Sequence, residues 1–235
     1  MRRTRWLPLL GLVGALLALS AGVALATVQC TAGVNCYGTE GRDDLKGSLG
    51  NDFIYGLGDK DQIAGWAGDD VANGGDGDDF ITGWLGNDDL SGGAGNDGVY
   101  GEQGDDVVHG GDGADVVAGD KSFDADASDG HDQLYGEAGT DVLYGAGGND
   151  FLDGGADHDE LWGGPGDDGM HGGAGNDRII GEEGGDAMFG GSGNDTIFAY
   201  DGEVDFIDCG PGKRDKVTYD QGLDTVKNCE KRDPR

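Results

Sequence analysis

Gly74-Gly75-Asp76-Gly77-Asp78-Asp79-Phe80-Ile81-Thr82 is one copy of a nine-residue unit that recurs in register from Gly38 onward. The unit is interrupted once, by 8 residues between Gly119 and Tyr135, and then runs on to Phe198. All 17 copies carry Gly at the first position and Asp at the sixth. A fixed short period marks a solenoid, in which each unit buries its apolar side only by stacking on its neighbours. The eighth position is apolar in every copy, from Leu45, Ile54 and Ile63 to Ile179, Met188 and Ile197. This predicts a three-residue strand at positions seven to nine, with its middle side chain turned inward and a core one residue thick per rung.

Glycine at the first and fourth positions permits positive φ and close backbone approach, so the rest of the unit reads as a tight turn. Such a turn directs carbonyl oxygens inward, beside the sixth-position carboxylate. Six to eight oxygens are what the hard calcium ion takes, and nothing in the unit suits zinc or copper.

The formal net charge is −32, with 38 acidic and 5 basic residues between 38 and 198. That sign excludes nucleic acid as a partner, because phosphate binding needs clustered Lys and Arg. Strongly acidic chains are often disordered, but disorder gives no reason to place Asp every ninth residue. Without counter-ions, self-repulsion is expected to leave the chain close to disordered. Residues 1–26 read as a signal peptide: Arg2, Arg3 and Arg5 precede an apolar stretch from Trp6 to Leu19, and Ala24-Leu25-Ala26 fits a cleavage site. Cleavage there would export residues 27–235 to a secreted, extracellular location. The stretch is short for a membrane span, so no transmembrane anchor is expected.

The motif G-G-x-G-x-D-x-U-x, with U apolar, resembles the nonapeptide of the repeats-in-toxin (RTX) family, and the match covers residues 38–198. The resemblance implies an all-β fold, a right-handed parallel β-roll (a calcium-binding β-solenoid) with two repeats to a coil, so that alternate repeats stack. It also implies Ca²⁺ between stacked turns, held by sixth-position Asp and by backbone carbonyls. One column of metal ligands would be Asp43, Asp61, Asp79, Asp97, Asp115, Asp141, Asp159, Asp177 and Asp195. The other would be Asp52, Asp70, Asp88, Asp106, Asp132, Asp150, Asp168 and Asp186. Eight gaps in one column and seven in the other set a ceiling of 15 ions. The implied function is that of a secreted calcium-ion-binding protein that folds on binding many Ca²⁺ ions.

Cys30, Cys36, Cys209 and Cys229 all lie outside the repeats, and an even count in an exported chain suggests two disulfides with three possible connectivities. Solenoid geometry selects among them. Two repeats per coil give about 8 coils, whose ends lie roughly 40 Å apart at ~4.8 Å per rung. Bridged Cα atoms lie within about 7 Å of each other. The expected pairs are therefore Cys30–Cys36, in an N-terminal cap (27–37), and Cys209–Cys229, in a C-terminal cap (199–235).

Departures from the motif carry expectations of their own. The second position is Gly in 7 of 17 copies, and the first four copies have Thr39, Ser48, Leu57 and Trp66 there; the N-terminal rungs are expected to be the weakest sites. Asp59 and Asp157 replace the fourth-position Gly, which Asp tolerates better than most residues. The insertion, about 121–129, is expected to bulge from one turn and disturb the sites around Asp132. Its Asp124-x-Asp126-x-Ser128 is not an EF-hand loop, since Asp129 and Tyr135 stand where Gly and Glu are needed. Past Phe198, the runs beginning at Asp205, Asp215 and Asp224 keep the Asp-x-apolar pattern, which predicts up to three degenerate rungs without calcium turns.

Ninth-position residues of alternate repeats, Tyr100, Ala118, Tyr144, Trp162, Ile180 and Phe198, form an outer stripe if two repeats make one coil. It reads as a ladder that stabilises neighbouring strands. The alternative is an apolar surface for self-association, a glycan or a cell surface, which would make the chain a calcium-dependent adhesin. No enzyme is expected: His109, His131, His158 and His171 are scattered, and neither H-E-x-x-H nor G-x-S-x-G occurs.

Overall fold

The structure, a computed structural model, describes residues 26–120 and 130–235. The signal-peptide reading of residues 1–25 and the insertion residues 121–129 lie outside the described residues. Among the described residues there are 23 short strands and no helix. Consecutive strands alternate between two parallel sheets, one of 12 strands and one of 11, which wind into a solenoid of about 11 coils. Pairing joins every second repeat: Ile54 pairs with Ala72, Ala72 with Leu90, and Leu90 with Val108. Across the insertion Val108 pairs with Leu134, the same position of the repeat, so the extra residues leave the ladder register unchanged.

The core is a single file. The eighth-position side chains, including Leu45, Ile81, Leu143 and Ile197, are fully buried between the sheets. The file continues beyond the repeats, with Cys36 beside Ile54, Ile207 beside Met188 and Val217 beside Ile197. Both expected disulfides are present, Cys30–Cys36 and Cys209–Cys229, with Cα atoms 5.4 and 5.2 Å apart. They close the file at its two ends.

Many strands are longer than the three residues predicted. Phe53–Gly58 and Val71–Asp76 run through the first-position Gly into the next turn, because the glycine backbone goes on pairing with the adjacent coil, as Gly75 does with Gly93. Three-residue strands occur at Val142–Tyr144, Glu160–Trp162 and Arg178–Ile180. The caps are also more regular than their sequences suggest. Ala26–Gln29 and Asn35–Tyr37 start the two sheets, and the C-terminal cap has a fourth strand, Lys231–Pro234, beyond the three degenerate rungs.

Candidate metal centre

Each sixth-position Asp follows the turn and precedes the strand, so its side chain is drawn into the gap between coils. The two expected columns form, and after the first aspartate of each, one oxygen of every carboxylate is used in the same way. The backbone N–H of Asp43 donates to Asp61 Oδ1 at 2.7 Å, that of Asp61 to Asp79 and that of Asp79 to Asp97. The series runs on through Asp115, Asp141, Asp159, Asp177 and Asp195. It ends beyond the repeats at Asp215 and Glu230. The other column runs from Asp52 through Asp70, Asp88, Asp106, Asp132, Asp150, Asp168 and Asp186 to Asp205 and Asp224.

The second carboxylate oxygen defines the site. Oδ2 is buried without a hydrogen-bond partner at Asp61, Asp79, Asp97, Asp115, Asp141, Asp159, Asp177 and Asp195. The same holds at Asp70, Asp88, Asp106, Asp132, Asp168 and Asp186. It faces the space over the first-position glycine of its own turn. A Cβ on Gly154 would lie 2.6 Å from Asp159 Oδ2 and 2.7 Å from the Gly172 carbonyl oxygen one coil on, and Gly136 repeats the arrangement with Asp141 and Gly154. The cradle therefore joins one carboxylate to carbonyls of the next coil. Among the described residues no three His, Cys, Asp or Glu side chains converge on one point. An oxygen-only donor set fits calcium.

Electrostatics point the same way. Burial pushes the carboxyls upward from the usual 3.8: Asp88 to about 7, Asp168 to about 8 and Asp132 to about 9. Hydrogen bonds from the preceding Asp N–H groups oppose the shift, and neighbouring carboxylates in the column add to it. A buried carboxylate with one bare oxygen is costly when ionised unless a cation offsets it.

The ends of the columns differ. Thr39 donates to Asp43 Oδ2 from its N–H at 2.6 Å and its hydroxyl at 2.8 Å, and the Ser48 N–H donates to Asp52 Oδ2 at 2.6 Å. The Asp220 N–H closes on Asp224 Oδ2 in the same way. Of the four N-terminal copies that depart from the motif, only the first two hold Oδ2 in this way. Leu57 and Trp66 adopt φ of 89° and 84° and leave Asp61 and Asp70 in the same state as the glycine copies. Asp59 and Asp157 take positive φ as expected, 66° and 78°. Asp132 keeps its place in the column, with bonds of 2.8 and 2.9 Å, because the register closes again at Gly130 and Gln133; the insertion in its turn lies outside the described residues.

Two ladders escaped the sequence reading. At the fifth position, a side chain accepts the N–H of the residue one coil on: Asp69 caps Asn87, Asn87 caps Asp105, His131 caps Asn149 and His158 caps Asn176. The prevalence of Asn and Asp at that position was the available signal. On the 11-stranded sheet the rings of His109, Tyr135, Phe151, His171, Phe189 and Phe206 pack in series, the first pair stacked and the rest tilted, with centroids 4.6–5.9 Å apart. His109, Tyr135, His171 and Phe189 are ninth-position residues, whereas Phe151 and Phe206 directly follow the aspartate, so a search at one position misses the series. The expected stripe lies in register on the other sheet, and Arg178 packs over Phe198 and Trp162.

A family model for RTX calcium-binding nonapeptide repeats (four copies) matches residues 37–72, 67–99, 99–124, 126–161, 144–179 and 162–197. These segments cover more than half of the chain and contain both columns. No curated protein matches the chain.

Proposed function

The chain belongs to the RTX calcium-binding nonapeptide repeat family, and from that premise we propose that it is a secreted calcium-binding protein whose β-roll forms as its turns take up Ca²⁺. The buried, unpartnered Oδ2 atoms of the middle coils carry this reading. The ligands would be the 17 sixth-position aspartates of the two columns, with first-position carbonyls beside them. Asp43 and Asp52 would be the weakest, their outer oxygens being held by Thr39 and Ser48. Bound calcium would supply positive charge to carboxylates whose ionisation burial disfavours. At a net charge of −32, the metal-free coils repel each other and leave bare oxygens in the core, so folding and binding become one equilibrium.

Export belongs to the same proposal. Residues 1–26 have the order of a leader, and both disulfides suit an oxidising compartment. Calcium there reaches the roughly 10⁻⁴–10⁻³ M range of extracellular modules. The domain boundaries follow: leader to 26, N-terminal cap to 37, repeats from 38 to 198, C-terminal cap to 235. No helix among the described residues is long and apolar enough to cross a membrane. We assign the chain no reaction, since His109 and His171 belong to an aromatic ladder while His131 and His158 cap turn N–H groups. Nor do we extend the proposal to adhesion through Tyr100, Tyr144, Trp162 and Phe198, because Arg178 covers part of that stripe and Ala118 and Ile180 interrupt it.

The test is far-UV circular dichroism of the oxidised chain, titrated with Ca²⁺ from a chelated start. A cooperative coil-to-β transition near roughly 10⁻⁴–10⁻³ M is expected. A chain already β-rich in chelator and indifferent to calcium would leave a metal-free solenoid and sink the proposal.

A further inference from the structure

Trp66 and Trp84 occupy second positions one coil apart, where φ is 84° and 82°. Glycine takes this conformation without strain, and other copies have glycine there. The turn imposes this conformation on other second positions too, Leu57, Glu102 and Glu137 among them, so what sets Trp66 and Trp84 apart is two large indoles on adjacent coils. Both indoles are exposed, 46% and 41%, and they stack with centroids 5.8 Å apart. The column neighbour on the N-terminal side of Trp66 is the small Ser48.

These indoles form one wall of a groove of about 360 Å³ on the 12-stranded sheet. Its floor is Ala64 and Thr82, small residues in the column that continues with the large Tyr100. The groove exists because two large ninth-position side chains are missing from that ladder. Gln62 and the half-exposed Phe80 form the opposite wall. Phe80 also packs on the Tyr100 ring at 5.4 Å, which closes one end. At the other end the Lys46 ammonium is 2.9 Å from Asp44, whose carboxylate also accepts from the Thr27 hydroxyl.

We propose that this groove binds a short neutral oligosaccharide, with a pyranose face against the Trp66 indole and hydroxyls toward Gln62, Asp44 and Lys46. Flat apolar walls with a few convergent polar groups are the makings of a small-ligand site. Hydroxyls both donate and accept, so they satisfy an amide, a carboxylate and an ammonium together without bringing a charge to be desolvated. The charged groups at the groove, Lys46 and Asp44, are already paired with each other, so the site offers no net charge to an anionic glycan.

The full chain, loaded with calcium, is titrated by calorimetry with cellohexaose, chitohexaose, maltohexaose and laminarihexaose, while tryptophan emission is followed. Saturable heat with at least one of them is expected. The double variant Trp66→Gly/Trp84→Gly restores the residue that other turns carry, and it should weaken that binding at least tenfold while keeping the calcium-dependent circular dichroism. Trp162→Ser should leave the affinity unchanged. Absence of binding by all four sugars at millimolar concentration overturns the proposal, as does binding that survives the double variant. Sedimentation velocity adds one further arm: a calcium-loaded dimer that the double variant dissolves would make the groove a self-association surface and overturn it too.

Discussion

A sixth-position aspartate has two oxygens with separate tasks, and the division explains why no other residue occurs there. Oδ1 caps the backbone N–H of the preceding coil, while Oδ2 lies bare over a glycine whose missing Cβ leaves the space open. Asparagine retains an acceptor for the first task but lacks the charge for the second. Asp159→Asn is therefore expected to lower the amount of bound calcium measured by equilibrium dialysis, and to cost the calcium-loaded fold roughly 1–3 kcal/mol. Asp43→Asn should lower bound calcium less, because Thr39 already holds Oδ2 of Asp43. An equal fall in both variants would refute the distinction between end turns and middle turns.

Each repeat strand contributes one side chain to the central file and makes its longest ladders with the equivalent strands of the adjacent coils. Neighbouring coils therefore share contacts, whereas distant coils share none, and stability is close to a sum of rung and nearest-neighbour contributions. Leu161 lies between Leu143 and Ile179 in the file and is fully buried. Leu161→Ala opens a cavity that flanking side chains in single file are badly placed to fill. A loss of about 2–5 kcal/mol is expected, read as a lowered unfolding temperature at saturating calcium. The outer ladders add lateral order at this scale: the His109-to-Phe206 ring series on one sheet, and Tyr144, Trp162 and Arg178 on the other.

For the whole molecule, burying two columns of carboxylates couples the fold to protons as well as to metal. Without calcium, the folded chain holds protons on Asp88 up to about pH 7 and on Asp168 up to about pH 8, whereas the unfolded chain releases them near 3.8. Folded-state values above the unfolded value mean that this stabilisation is fully present below pH ~4 and is lost as pH rises through the folded values. In chelator, the β signal should accordingly grow on acidification from pH 8 to pH 5, most steeply between about 6 and 8. At saturating calcium the dependence should reverse, since protons compete for the same carboxylates. A calcium-free chain whose circular dichroism does not change over this range would show that the columns do not control folding.

The nine-residue period by itself determined the solenoid, the inward eighth-position file and the two aspartate columns, because each depends only on a repeating offset between neighbouring coils. Glycine and aspartate at fixed places also made the oxygen-rich turn legible. The cysteine pairs followed from the length of the stack. Tertiary structure alone decided which turns leave Oδ2 of the aspartate bare. That depends on whether the second-position N–H closes on the aspartate, as at Thr39 and Ser48, or turns away into positive φ, as at Leu57 and Trp66. It decided as well that the insertion leaves Asp132 in its column, that His109 and His171 join rings from other positions, and that Ala64 and Thr82 open a groove beside two tryptophans. These outcomes depend on how side chains meet between coils, and an offset along the chain does not encode that.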